Sequence, residues 1–121
     1  MRKFLFLAVL GVSCGGDSLS ASDACQQEVS ALCDKMFNCF SKDVLDAAKS
    51  QLGLNAADCK TKFNASECNA DNIKCDLGKT YQADKAEECV NGVKNLSCND
   101  IQSIVTTGKV PTPAACDLVC K

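Results

Sequence analysis

A chain of 121 residues is long enough for one small domain, and its formal charge is −2. Of its 13 basic residues only Arg2 is an arginine, so a partner rich in phosphate, such as a nucleic acid, is not expected. The absence of histidine excludes zinc sites built from cysteine and histidine, and also the usual histidine-dependent nucleophilic enzymes.

Residues 1–13 have the layout of a secretory signal peptide. Arg2 and Lys3 precede a largely apolar run over residues 4–12, and small residues follow it. The run is far shorter than the ~20 residues that span a bilayer as a helix, and no later segment approaches that length. We therefore expect an exported protein without a transmembrane helix in its mature form. Loss of the two basic residues leaves 11 basic side chains against 15 acidic ones, a charge of −4.

Cys14 directly follows the apolar run, at the point where an export protease would cut. It is also the odd member of eleven cysteines, and the Gly- and Ser-rich stretch after it suits a flexible tether. We expect residues 1–13 to be the signal peptide, residues 14–22 to be a lipidated Cys14 with its tether, and residues 23–121 to be a cysteine-rich helical domain. Cleavage after Ala24, which would discard Cys14, is the open alternative.

The other ten cysteines are spread over the whole domain, and an even number in an exported protein indicates disulfides. Only 20 of the 100 residues from Ser22 onward are Val, Leu, Ile or Phe, which is a small core for this length. The C-x-x-C spacing of metal cages and redox sites is missing from the chain. We expect no metal, no cofactor and five disulfides, in a pairing that the sequence leaves open, among Cys25, Cys33, Cys39, Cys59, Cys68, Cys75, Cys89, Cys98, Cys116 and Cys120.

The clearest predicted helix covers about residues 24–40, with Asp23 as its cap and Gln26 completing a capping box. Its apolar side chains recur at helical spacing and share one face, with Cys39 at the edge. These side chains, which should face the core, are Cys25, Val29, Leu32, Cys33, Met36, Phe37 and Phe40.

Two shorter helices are predicted next. Ser41 should cap a helix that runs to about Leu52, where Gly53 is a natural stop, and Asn55 should cap a helix that carries Cys59 and Phe63. Residues 64–80 are weakly periodic and rich in Asn, Asp and Gly, so we expect a loop pinned by its two cysteines.

The last third of the chain predicts three more helices. One covers about residues 82–96 with an apolar stripe, and another begins near Asn99 and ends before Gly108. Thr112 and Pro113 should open a terminal helix whose two cysteines reach two different partners. The predicted fold class is therefore all-α, a small disulfide-stapled bundle of about five short helices.

Two features of the sequence, one near each end, resemble a known group of proteins. Leu10-Gly11-Val12-Ser13-Cys14 looks like the cleavage site of bacterial lipoproteins, whose cysteine becomes the acylated first residue. Tyr81-x-x-x-x-Ala86-x-x-Cys89, Leu96-Ser97-Cys98-x-Asp100 and Pro113-Ala114-Ala115-Cys116 together resemble the C-terminal half of small cysteine-rich lipoproteins of myxobacteria and their relatives. The resemblance implies an anchor of acyl chains on Cys14 and a place in the cell envelope, with the inner and the outer membrane both open, but no activity.

The remaining polar and aromatic motifs point to no catalytic chemistry. Neighbouring carboxylates such as Glu87 and Glu88 are expected to be solvated, and the acidic loop at residues 71–76 lacks the order of a calcium-binding EF-hand. Tyr81, Phe37, Phe40 and Phe63 are expected in the core rather than in a ligand pocket.

We therefore expect no enzyme. The sequence predicts a membrane-anchored envelope lipoprotein, facing the periplasm or the cell surface, that acts as a binding or structural module. The alternative is a freely secreted, disulfide-rich helical carrier of a small apolar ligand.

Overall fold

The computed structural model describes residues 19–121, and the predicted fold class, an all-α bundle stapled by disulfides, is confirmed. The predicted signal peptide and Cys14 lie outside these residues. Within them, an antiparallel bridge between Tyr81 and Cys120 is the one strand-like pairing. The helices are α1 (Ala21–Cys39), α2 (Lys42–Ala47), α3 (Lys49–Leu52), α4 (Ala56–Glu67), α5 (Ala83–Lys94), α6 (Cys98–Thr107) and a 3-10 helix (Ala114–Leu118).

Helix α1 begins two residues before the expected start of the domain. The Ser20 hydroxyl accepts a hydrogen bond from the backbone N–H of Asp23 at 3.1 Å, so Ser20 is the cap. Asp23, the expected cap, lies instead in the first turn, where its negative charge favours the helix N-terminus. Serine and aspartate are both good cap residues, and the structure uses the earlier one, which adds residues to the helix.

The next caps follow the prediction closely. Ser41 caps α2, and Asn55 caps α4 through its side-chain oxygen. The predicted helix from Ser41 to Leu52 is divided at Ala48 into α2 and α3, and Gly53 ends it with a φ of 87°.

The C-terminal helices differ from the prediction in detail. Ser97, not Asn99, caps α6, and the Asp100 carboxylate accepts a hydrogen bond from the Ser97 N–H, which completes a capping box. Gly108 ends α6 in the left-handed conformation, as expected. The terminal segment after Pro113 forms a 3-10 helix rather than an α-helix.

Helix α1 is the central element, because α4, α5 and α6 all pack against it. One core cluster joins α1 to α3, α4 and α6, and a smaller one joins α1 to α5. The first consists of Cys33, Met36, Leu52, Cys59 and Ile101, and the second of Ala24, Ala86 and Val90. None of the helices in residues 19–121 is both long and apolar enough to cross a membrane.

Five disulfides staple the fold, and they use all ten cysteines of residues 19–121. Two cysteines of α1 pair with cysteines within and at the end of α4, and the third pairs with the first residue of α6. The two C-terminal cysteines bind separate partners, as expected. The pairs are Cys25–Cys68, Cys33–Cys59, Cys39–Cys98, Cys75–Cys120 and Cys89–Cys116.

Candidate ligand-binding groove

An apolar groove with a volume of about 380 Å³ lies along α1 and opens to solvent. We call it the Glu28 groove after the carboxylate that α1 contributes to it. Helices α4 and α5 and residues 110–113 form its other walls. Its lining residues are Cys25, Glu28, Val29, Leu32, Cys33, Phe63, Glu67, Val93, Val110, Pro111, Thr112, Pro113 and Cys116.

A glycine allows the segment over residues 110–113 to approach α5. A Cβ atom at position 92 would lie 2.6 Å from Cβ of Pro113, which is too close for any side chain. Gly92 therefore removes the steric obstacle, and the Cys89–Cys116 disulfide holds the residues that follow Pro113 against the same helix. Together they position one wall of the groove.

Glu28 is the unusual residue of this groove. It lies three residues after Cys25 and four before Leu32, so it falls within the apolar face of α1. The side chain is half-buried, and the loss of hydration raises the pKa of its carboxyl. Within residues 19–121, no side chain or backbone group donates a hydrogen bond to this carboxylate, and no lysine pairs with it.

A second, smaller recess of about 220 Å³ adjoins the groove and shares Glu28 and Glu67 with it. Tyr81 forms part of its wall, and the phenol donates a hydrogen bond to the carbonyl of Leu19 at 2.7 Å. Burial raises the pKa of Tyr81, and the negative charges of Asp23 and Glu28 raise it further. Acidic charge therefore dominates this side of α1.

The same region holds an apparent metal-ligand set that cannot bind a metal. A carboxylate oxygen of Glu28 and the sulfurs of Cys89 and Cys116 all lie within 4.8 Å of one another. The two sulfurs are bonded to each other, so neither is a thiolate that could coordinate an ion. The cluster is a carboxylate beside a disulfide.

The other residues that the sequence raised as possible catalytic, calcium-binding or pocket residues lie at the surface or in the core. Asp43, Glu87 and Glu88 are exposed, and Asp71 in the acidic loop is exposed as well. Phe63 was expected in the core rather than in a ligand pocket. It packs on the core and also lines the Glu28 groove.

Sequence reasoning missed Glu28. The available signal was a charged residue inside an otherwise apolar stripe, flanked by Cys25 and Leu32 at helical spacing. Nothing local showed that α4 and residues 110–113 would leave an open volume beside it, since these segments are distant in sequence.

The fold and this groove define a class of protein, a disulfide-stapled helical domain with an acidic, apolar-walled recess. Comparisons with protein-family models, curated proteins and solved structures find nothing that matches the chain. A proposal for the function therefore depends on the residues of this chain alone.

The raised pKa of Glu28 predicts a pH-dependent stability effect. A folded-state pKa above the unfolded value means that stability falls as pH rises from about 4, where glutamate ordinarily ionises, through the folded-state pKa. Below that range the carboxyl is protonated in both states. We therefore expect Glu28→Gln to raise the melting temperature near pH 7 and to leave it unchanged near pH 3.

Glu87→Gln is the matched control, because it removes the same charge from the exposed side of α5. Asp23, Glu67 and Tyr81 stay in place in both variants. Thermal melts of the oxidised proteins at the two pH values give the comparison. Equal shifts from both variants at neutral pH would show a general charge effect rather than desolvation of Glu28.

Proposed function

We propose that the protein is a membrane-anchored cell-envelope lipoprotein whose helical domain is a non-enzymatic binding module. The observation that carries the anchor is the cysteine pairing. Five disulfides use the ten cysteines of residues 19–121 among themselves, which leaves Cys14 as the odd thiol next to the apolar run. Acylation of Cys14 would place the domain at a membrane through the short stretch that ends at the Ser20 cap.

The binding part of the proposal has separate support. The Glu28 groove has the size and the apolar lining of small-ligand sites, which occupy roughly 300–1,000 Å³. Three of the five disulfides contribute a cysteine to its wall, so covalent bonds fix parts of the groove wall to neighbouring segments. A prefolded recess loses little conformational entropy when a ligand enters it.

The same groove favours a second candidate, a freely secreted carrier of a small apolar ligand. The two candidates share the domain and differ at Cys14 alone. An acylated chain stays with the membrane, because two or more acyl chains give durable anchoring. A chain that loses Cys14 with its leader is released.

The test is Cys14→Ala in the native host or a close surrogate. We expect the variant to lose acyl incorporation and to leave the membrane fraction, while intact mass still shows five disulfides. Ser13→Ala, which retains the cysteine, is the control and should stay acylated. A variant that partitions like the wild type, or a wild type that is soluble and unacylated, would reject the anchor and leave the secreted carrier.

A further inference from the structure

We propose that the Glu28 groove binds a small apolar amine in its protonated form, with the ammonium group against the Glu28 carboxylate. The apolar part of the molecule would pack on Val29, Leu32 and Phe63. This inference rests on the proposed binding function and names the class of ligand. Three properties of the groove carry it: its volume, its charge and the chemistry of its walls.

The volume sets the size of the ligand. A cavity of about 380 Å³ corresponds to roughly a dozen water molecules at the volume each occupies in the liquid. It therefore suits a compact molecule of roughly a dozen non-hydrogen atoms. The groove is open rather than enclosed, so one end of a longer chain could extend into solvent.

The charge sets the sign of the ligand. Among residues 19–121, the charged residues that line the groove are Glu28 and Glu67, and both are acidic. Lys74 lines the adjoining recess, but its side chain is exposed, and its Nζ lies 3.9 Å from a carboxylate oxygen of Asp71. An anionic amphiphile would place its charge among carboxylates, whereas a cation would find complementary charge.

The unpaired carboxylate explains why an amine is favoured over a neutral molecule. Glu28 has lost part of its hydration without gaining a donor among residues 19–121. An ammonium group supplies three N–H donors and a positive charge, and such charge-assisted bonds are stronger than neutral ones. An alkylamine has an ordinary pKa near that of lysine, about 10.4, so it is charged at neutral pH.

The walls argue against a bare metal cation as the occupant. Calcium takes six to eight oxygen ligands, and magnesium demands near-ideal octahedral geometry. The groove offers two carboxylates beside aliphatic, aromatic and proline side chains, and its sulfurs belong to disulfides. Apolar walls give a hydrophobic contribution to an alkyl or aryl group but none to an ion.

The experiment compares three probes that share a ten-carbon chain: decylamine, decanol and decanoate. The protein is the full chain with Cys14→Ala, purified without detergent from the soluble fraction, or the wild type if it is itself soluble. Calorimetric titration near neutral pH gives the affinities, below the micelle concentrations of decylamine and decanoate and below the solubility limit of decanol. We expect decylamine to bind at least tenfold more tightly than decanoate. Equal or reversed affinities, or no binding of decylamine, would overturn the proposal.

Glu28→Gln identifies the group responsible. It should weaken decylamine binding at least tenfold and leave the affinity for decanol within twofold, because it keeps the shape and removes the charge. Glu87→Gln should change neither affinity. An intact mass that shows five disulfides, together with a circular dichroism spectrum like that of the parent protein, confirms that each variant is folded. An unchanged preference for the amine in Glu28→Gln would contradict the assignment.

Nuclear magnetic resonance of the unsubstituted groove provides a test that does not depend on a variant's folding. Decylamine should shift the side-chain signals of Val29, Leu32 and Phe63 and spare those of exposed Leu77. Shifts confined to other residues would place the amine elsewhere and overturn the proposal. A wild type that is not acylated, with a domain that still prefers the amine, would reject only the anchor. An acylated wild type whose domain shows no preference for the amine would reject only the ligand class.

Discussion

Replacing Cys33 and Cys59 together by alanine is expected to lower the free energy of unfolding by about 3–5 kcal/mol. This disulfide connects α1 to α4 at the centre of the main core cluster, where the two cysteines are 1% and 0% exposed. Its loss would release a chain loop in the unfolded state and remove two well-packed sulfur atoms from the folded one. Chemical denaturation of the oxidised variant, followed by circular dichroism, measures the change.

Cys25→Ala with Cys68→Ala is the matched control, because this disulfide joins the same α1 to the end of the same α4. Its cysteines are 43 residues apart, against 26 for Cys33 and Cys59. Loop entropy alone would assign the longer link about 4.0 kcal/mol and the shorter one about 3.5 kcal/mol. Cys25 and Cys68 are only half-buried, so packing adds less to their link.

The two double variants therefore separate two physical contributions. We expect the Cys33/Cys59 variant to be the less stable, because its sulfurs are in the core. A larger loss in the Cys25/Cys68 variant would mean that chain entropy outweighs packing, and that the core is looser than the burial of Cys33 and Cys59 indicates. A loss below 1 kcal/mol in both would remove the basis for a disulfide-dependent fold.

The helical fold was largely predictable because its signals are local. Ser41 and Asn55 each precede an apolar helical pattern, and the structure uses both as caps. The start of α1 was less predictable, since Ser20 and Asp23 are both good caps and the choice depends on which residues pack. The hydrogen bond from the Tyr81 hydroxyl to the carbonyl of Leu19 joins residues 62 positions apart in the sequence and helps to hold this first turn.

The pairing of the cysteines was not predictable, because it depends on contacts between segments distant in sequence. Spacing indicated only that the two C-terminal cysteines would reach different partners. The 3-10 helix after Pro113 was not predictable for the same reason, because its shape also depends on contacts with segments distant in sequence. A disulfide links Cys116 to α5, and another links Cys120 to the loop after α4. Cys120 also forms the antiparallel bridge with Tyr81, so these tertiary links shape the segment.

The Glu28 groove and the disulfide framework are linked physically. A chain with few large apolar residues would ordinarily close over an open volume or fail to fold. Here Cys25, Cys33 and Cys116 contribute to the groove wall through three separate disulfides. The covalent links connect α1 to α4, and α5 to the segment after Pro113, so they limit how far these wall segments can move. This arrangement reconciles a small core with a stable recess.

Ile101→Ala tests how much the apolar core contributes beside the disulfides. Ile101 is 0% exposed and packs from α6 onto the cluster that contains Cys33 and Met36. Truncation of a buried isoleucine removes burial free energy and leaves a cavity, so we expect a loss of about 2–5 kcal/mol in unfolding free energy. Val105→Ala, one turn later in α6 and 57% exposed, should change stability by less than about 0.5 kcal/mol. Equal, small losses in the two variants would show that the disulfides alone hold α6 in place.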